Sequence, residues 1–280
     1  MYPKWRILLD LIKSIILGIV QGLSEFLPIS SSGHLVLFQE ILNFRPQGIT
    51  FEIFVHFGTL MAVFIAFRED IWKMIKTLPG MPKFFANGLK IYSEEDEFRT
   101  LSLYIIISTI PAGIIGLVFK DKIELFFESS FLVLVALFVT GLINWSSRYT
   151  KESLQTMNSF QAFIIGIAQA FAIIPGISRS GSTIITALWM GINREKAARF
   201  SFLLSIPVIL GPSILQFNDL VKSPPQSAEI IYLISGTLAA SISGYFAIIW
   251  LLEIVRRKKL EWFGIYCIVI SIVGLVITMF

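Results

Sequence analysis

The chain has 280 residues, 55% hydrophobic and 15% charged, with a mean hydropathy of +0.77 and a formal net charge of +4. Soluble domains carry about 25% charged residues, so the composition excludes an ordinary water-soluble globule and points to an integral membrane protein. The single Cys267 excludes an internal disulfide, and no basic stripe lies outside the loops, so no nucleic-acid partner is expected.

A bilayer core of about 30 Å needs roughly 20 apolar residues in a helix. The first apolar region, about 7–42, is long enough but is broken near its middle by "LPISSSG". Proline removes a backbone donor, and lipid satisfies no freed carbonyl. Such a break survives at membrane depth only when buried in protein or lining a wet cavity, which predicts a re-entrant helix–loop–helix rather than two kinked spans. The run 50–67 predicts a first span; within it His56 has no polar partner in sequence and is expected to face the bundle interior, while Glu52 is expected at the interface. Residues 68–99 mix charges with Trp, Met and Phe, the pattern of a segment lying in the interface, interrupted at Pro79–Gly80. Spans follow at 101–119 and 130–147. The region 160–192 is broken in its turn by "IPGISRSG" and predicts a second re-entrant segment, before spans at 200–217, 229–252 and 262–280. None of the six runs alternates as barrel strands would. The fold class is therefore an all-α polytopic membrane protein: six transmembrane helices plus two re-entrant segments, forming one integral membrane domain over 1–280.

The two broken regions match each other. Shifting "GIVQGLSEFLPISSSGHL" (18–35) by 148 places it on "GIAQAFAIIPGISRSGST" (166–183), with Gly18/Gly166, Gln21/Gln169, Ser30/Ser178, Ser32/Ser180 and Gly33/Gly181 coincident. Three spans follow each break, so the second copy enters from the opposite face. That predicts an inverted repeat, about 7–147 and 160–280, with the broken helices meeting near the midplane. Lys and Arg divide as this arrangement requires. Six (Lys4, Arg6, Arg45, Lys120, Lys122 and Lys222) fall on the N-terminal side and fifteen on the other, the latter including the anchor "RRKK" at 256–259. Cytoplasmic loops carry the excess, which places both termini outside the cytoplasm.

Glu25, His34 and Arg179 are ionisable groups in apolar surroundings, and such groups are functional candidates. Ser30, Ser31, Ser32, Ser178, Ser180 and Ser182 add short donors, while Gly33, Gly176 and Gly181 let backbone N–H groups approach a ligand. Ser ahead of a helix with a positive dipole end favours an anion, and the fork of Arg179 suits phosphate oxygens. The two loops together predict a phosphate or pyrophosphate site. Ser31 and His34 share a helical face, a nucleophile with a nearby base, although direct attack by water is an equal alternative for the Ser31 step. Two roles are open to Glu25: orienting His34, or holding a divalent cation on the phosphates.

"QGLSEFLPISSSGH" and "PGISRSGST" resemble the undecaprenyl-diphosphatase family, the bacitracin-resistance phosphatases of bacterial cell-wall synthesis. The first fits that family's Glu/Gln-x-x-x-Glu element with its Ser-Ser-x-Gly-His continuation. The second fits Pro-Gly-x-Ser-Arg-Ser-x-x-Thr at Pro175, Gly176, Ser178, Arg179, Ser180 and Thr183. The resemblance extends over the span layout of the whole chain. It implies release of the terminal phosphate of undecaprenyl diphosphate at the outer face of the bacterial cytoplasmic membrane, recycling the carrier lipid for peptidoglycan synthesis. It also implies a divalent cation, Mg2+ or Ca2+, and roles for Gln21, Glu25, Ser31, His34 and Arg179. Position 21 is Gln here where many relatives carry Glu, leaving Glu25 the only carboxylate of the motif. Expected partners are the polyprenyl diphosphate and membrane lipids, with a homodimer open. A polyprenyl-phosphate flippase is the rival reading, since inverted repeats with broken helices also build carriers. Membrane phosphatases with a His nucleophile are set aside, because no His follows Arg179.

Overall fold

The computed structural model describes residues 4–44, 50–119, 126, 129–151, 156–222, 227–257 and 259–279. They form helices α1 (Lys4–Phe26), α2 (Ser31–Ile41), α3 (Thr50–Ala66), α4 (Arg68–Thr77), α5 (Met81–Ala86), α6 (Glu94–Val118), α7 (Ser130–Trp145), α8 (Ser159–Phe171), α9 (Arg179–Trp189), α10 (Arg194–Lys222), α11 (Ser227–Arg256) and α12 (Glu261–Met279). Among the described residues there is no β-strand. Five helices, those of residues 94–118, 130–149, 194–214, 229–256 and 261–278, are long and apolar enough to cross a bilayer. The 17 residues of α3 make a sixth when taken with the following helices, which leave it at 80°. That bend is where the apolar run gives way to the charged segment, which folds as α4, a 3-10 turn at Leu78–Gly80, and α5. Exposed apolar side chains recur one turn apart, as Ile106, Ile110 and Ile114 on α6 and Ile265, Val269, Ile272 and Val276 on α12. Such stripes are stable facing lipid rather than water.

Two helices extend beyond their apolar runs, for reasons of capping. The α6 helix begins at Glu94 rather than near 101, because the Ser93 hydroxyl accepts from the Asp96 N–H at 3.3 Å and four acidic residues fill the first turn. Both features offset the unpaired N–H groups and positive dipole of a helix start. The α10 helix begins at Arg194 rather than near 200: Asn193 Oδ1 accepts from the N–H groups of Glu195 and Lys196 at 3.0 and 3.3 Å. These polar starts gather at one end of the bundle. Arg199 holds Asp70 through two hydrogen bonds, Lys73 holds Glu94 at 2.6 Å, and Arg256 holds Glu195 at 2.7 Å. The pairs join α4, α6, α10 and α11 and draw on residues from the basic-rich set.

The two broken segments each fold back on themselves, α1 against α2 and α8 against α9. Small residues let them approach the long helices closely. On α1, a Cβ at Gly18 would strike the carbonyl of Gly236, and one at Gly22 would strike the carbonyl of Ala240 on α11. On α8, a Cβ at Gly166 would lie 2.6 Å from the carbonyl of Ser108 on α6. Ser14, Gly18 and Gly22 of the first hairpin thus stand where Ala162, Gly166 and Ala170 stand in the second, at the offset of 148. The remaining packing exchanges in the same way: α3 lies on α11 as α10 lies on α6, and α7 packs on α12.

Candidate active site

The break after α1 has a local cause. Leu27 precedes Pro28, and a residue before proline is disfavoured in helical geometry. The chain turns tightly, Ile29 N–H to Leu27 carbonyl at 2.7 Å, and Ser30 takes a positive φ of 69°. Its hydroxyl then accepts from Gly33 N–H at 3.3 Å, capping α2. The second break is a Pro175–Gly176 turn closed by Ile177 N–H to Ile174 carbonyl at 3.0 Å, with Gly176 at φ 94°. Positive φ at that position is the glycine requirement of a type II turn. A Cβ there would also strike the carbonyl of Val133 on α7. Ser178 caps α9 by accepting from Gly181 N–H at 3.1 Å, repeating the cap of α2.

The tips meet. Gly176 N–H donates to Ser32 Oγ at 3.3 Å, and Ser180 Oγ donates to the Leu27 carbonyl at 3.1 Å. Both are held from one side by α7, an apolar span with no break or motif of its own. Asn144 donates its amide to the carbonyl of Pro28 in the first tip. Thr140, one turn earlier, donates to the Gly176 carbonyl at 2.7 Å and accepts from Ser178 N–H at 2.9 Å in the second. Both side chains are essentially fully buried.

The two hairpins share a scaffold but differ in chemistry. Where the first carries Glu25, Ser31 and His34, the second carries Ile173, Arg179 and Ser182. Folding brings Glu25, Ser31 and Arg179 to one point. Ser31 Oγ donates to Glu25 Oε2 at 2.5 Å, Gln21 Nε2 donates to the same oxygen at 3.0 Å, and Arg179 Nη2 donates to Oε1 at 2.9 Å. The side chains of Arg179 and Glu25 are only 11% and 7% exposed, so this is a buried ion pair rather than a surface one. Arg179 is fixed further by donating Nη1 to the Ser201 carbonyl at 3.0 Å; Thr183 hydrogen-bonds the Ser201 hydroxyl at 2.6 Å. Ser201, like Thr140 and Asn144, lies outside both motifs.

His34 stands apart from this cluster. Its Nδ1 lies 2.9 Å from the Ser30 carbonyl and its Nε2 2.8 Å from Tyr266 Oη. A carbonyl accepts only, so Nδ1 carries the proton and Nε2 takes the Tyr266 hydroxyl. Glu25 therefore neither orients His34 nor leaves Ser31 to it; Glu25 itself holds the Ser31 hydroxyl. His34 instead ties the strained Ser30 backbone to α12.

The second histidine is nearer the carboxylate. His56 Nε2 lies 3.7 Å from Glu25 Oε2, and its Nδ1 donates to the Glu52 carbonyl at 2.7 Å. Glu52, expected at the interface, accepts from Gln39 at 2.7 Å, and its other oxygen is buried without a hydrogen-bond partner. Spacing in the sequence could not have shown either contact, since both partners come from other helices.

The cluster fits an anion better than a cation. Two helix starts, α2 and α9, supply N–H groups and positive dipole ends beside a guanidinium. A resident divalent ion does not fit this donor set. Among the described residues no group of three His, Cys, Asp or Glu converges. Both oxygens of Glu25 are already occupied by donors, one of them cationic. What the arrangement can do chemically is present a hydroxyl already hydrogen-bonded to a carboxylate, next to a fixed positive charge. Those are the parts of nucleophilic attack on a phosphoryl group.

Known proteins match this chain along nearly its whole length. The family model described as "Bacitracin resistance protein BacA" matches residues 14–273. An undecaprenyl-diphosphatase of Halothermothrix orenii is 43% identical over 273 residues, covering 96% of this chain and 98% of that protein. An undecaprenyl-diphosphatase of Alkaliphilus metalliredigens is 42% identical over 260 residues, 91% of this chain and 94% of that one. One of Methanobrevibacter smithii is 40% identical over 270 residues, 95% and 96% of the two chains. This chain belongs to the bacitracin resistance protein BacA family.

Proposed function

We propose that this protein hydrolyses undecaprenyl diphosphate to undecaprenyl phosphate and inorganic phosphate, recycling the carrier lipid of peptidoglycan synthesis and so conferring bacitracin resistance. One observation carries the reading from the chain's own residues: the Ser31 hydroxyl sits on Glu25, whose other oxygen is paired with Arg179 from the second tip. A flippase would need the anion site but not a hydroxyl poised on a base, which favours the hydrolase.

In the proposed reaction the diphosphate binds between the starts of α2 and α9, and Arg179 leaves part of its contact with Glu25 for phosphate oxygens. Ser31 Oγ attacks the terminal phosphorus as Glu25 Oε2 takes its proton. The bridging P–O bond breaks and the prenyl phosphate leaves. Water then cleaves the phosphoserine, releasing inorganic phosphate and restoring the hydroxyl. Gln21 keeps Glu25 Oε2 aimed at Ser31; Ser30, Ser32, Gly33, Gly176, Ser178, Ser180 and Thr183 shape and support the phosphate cradle. His34 acts as a positioning residue for the first tip. A divalent cation, Mg2+ or Ca2+, would supply charge neutralisation if carried on the diphosphate, since among the described residues no cluster of three His, Cys, Asp or Glu would hold one.

The same reading makes the chain an inverted repeat of about 7–147 and 160–280 whose hairpins are re-entrant. The paired packing of α1 on α11 and α8 on α6 supports it. With the basic-rich end in the cytoplasm, the chain sits in the bacterial inner membrane with its site open to the outer face. The test is phosphate release from undecaprenyl diphosphate by the purified protein in detergent, without membrane or gradient. Release is expected; intact lipid binding with no phosphate release would remove the hydrolase reading.

A further inference from the structure

We propose that His56 carries the reaction's proton between Glu25 and water, acting through Glu25 rather than on the substrate. The proposal rests on the hydrolytic reading above and deepens it. At neutral pH, hydrolysis of a fully ionised diphosphate to two phosphate dianions releases one proton per turnover. In the cluster described, that proton starts on the Ser31 hydroxyl and passes to Glu25 Oε2. Glu25 cannot hand it to solvent itself: its side chain is 7% exposed, and its contacts are Ser31, Gln21, Arg179 and His56. Of these, the Arg179 guanidinium and the Gln21 amide only donate to Glu25, and Ser31 is the source. His56 is the remaining acceptor, and its side chain is 32% exposed.

The tautomer fits the task. Nδ1 donates to the Glu52 carbonyl at 2.7 Å, so in the neutral ring the lone pair is on Nε2, the atom facing Glu25 Oε2 at 3.7 Å. Transfer needs roughly 2.6–3.2 Å between heavy atoms or one intervening water, and such contacts are often long before substrate binds. The charge environment is simple. From α1 the group facing His56 is Glu25, with Arg179 of α9 behind it; from its own helix it is Glu52, one turn away and held by Gln39. The charged residues of α10 and α11 fall toward the helix ends, at Arg194–Arg199, Asp219, Lys222, Glu229 and Glu253–Arg256, and those of the short α4 are Arg68–Asp70, Lys73 and Lys76.

In balance, the Ser31 O–H bond breaks as its oxygen bonds phosphorus and the bridging P–O bond breaks. The proton moves to Glu25 and then to His56 Nε2, which releases it to water. In the second half water attacks phosphorus and gives a proton to Glu25, which returns it to the leaving Ser31 oxygen as the Ser31 O–P bond breaks, so no further proton is released.

The experiment follows phosphate release from undecaprenyl diphosphate in detergent across pH 5–9 for the wild type, His56→Gln and His56→Ala. Histidine ordinarily changes charge between about pH 5 and 8, and only its neutral ring accepts a proton. Wild-type kcat is therefore expected to fall on the acid side. His56→Gln, which keeps polar contacts but cannot titrate, should lower kcat by about 10²-fold, flatten the acid limb and leave KM nearly unchanged. Added imidazole should restore part of the His56→Ala rate, since the relay requires that position to reach water. A His56→Gln enzyme with the wild-type acid limb, whether fast or slow, overturns the relay and leaves His56 a structural residue. Should that variant fail to fold, absence of imidazole rescue in folded His56→Ala overturns it equally. A wild type that releases no phosphate defeats the hydrolytic reading itself, and the relay with it.

Discussion

Ser31 and Glu25 flank the first break and are joined across it by a hydrogen bond of 2.5 Å. A carboxylate that already holds the hydroxyl needs no movement to take its proton. Glu25→Gln keeps the size of the side chain but removes the base. It should lower kcat by about 10²–10⁴-fold with KM changed far less. Phosphate release at saturating lipid diphosphate measures this; a Glu25→Gln enzyme within threefold of wild type would show that Glu25 is not the base.

Arg179 contributes charge to both the resting pair and the phosphate. Arg179→Ala should reduce turnover by about 10²–10³-fold and lower the melting temperature in detergent, because it leaves a carboxylate buried without its partner. Removing both charges together, in Glu25→Gln with Arg179→Gln, should return part of the melting temperature and none of the activity. A double variant no more stable than either single one would mean that the pair does not stabilise the fold.

Thr140 and Asn144 touch neither Glu25 nor Arg179, yet both tips depend on them. Thr140→Val leaves the Gly176 carbonyl and Ser178 N–H without their partner, and Asn144→Ala does the same to the Pro28 carbonyl. Each orphaned buried group costs about 1–3 kcal/mol. Lower melting temperatures and reduced kcat are expected from both, with fluorescence melting and phosphate release as the readouts. Unchanged activity in the double variant would count against a positioning role for α7.

Gln21 donates to Glu25 Oε2 at 3.0 Å. Gln21→Glu replaces that donor with a second carboxylate, and two close carboxylates cannot both ionise without a cation between them. The variant should gain a steeper dependence on added Mg2+ or Ca2+ than the wild type and lose more activity to a chelator. Chelator titrations that overlay for the two enzymes would contradict the account of how Gln21 serves the site.

The membrane fold was legible because lipid forbids unsatisfied backbone, so the position of every break carries information. It was legible unevenly. Pro111, Pro207 and Pro212 lie inside continuous helices, whereas Pro28 and Pro175 end theirs. The difference is the company they keep: Ser30 and Ser178 cap a new helix immediately afterwards, and the lone prolines have no such cap beside them. Glu25, Ser31 and Arg179 could be named because polar groups in apolar runs are conspicuous. Their pairing could not, and the expected link from Ser31 to His34 gave way to one from Ser31 to Glu25. Helical spacing put Ser31 and His34 on one face, but the His34 ring is held by Ser30 and by Tyr266, which lies 232 positions away. His56 was conspicuous in its span without its partner being so, whereas Thr140, Asn144 and Ser201 were not conspicuous at all. Each looks unremarkable in its own helix and acquires a role only from a partner on another.

The ties from α7 to the two tips have a consequence for how lipid comes and goes. Thr140 and Asn144 are four residues apart on one helix, about 6 Å along its axis, so that rod serves as a ruler for the gap between the interruptions. Swinging the halves apart, as a carrier does between its inward and outward forms, would tear one tie or the other. Traffic should instead run sideways, the tail sliding in from the bilayer while the ruler stays rigid. One residue inserted between positions 140 and 144 would rotate one tie by about 100° relative to the other, leaving the helix bundle in place and the gap misgauged.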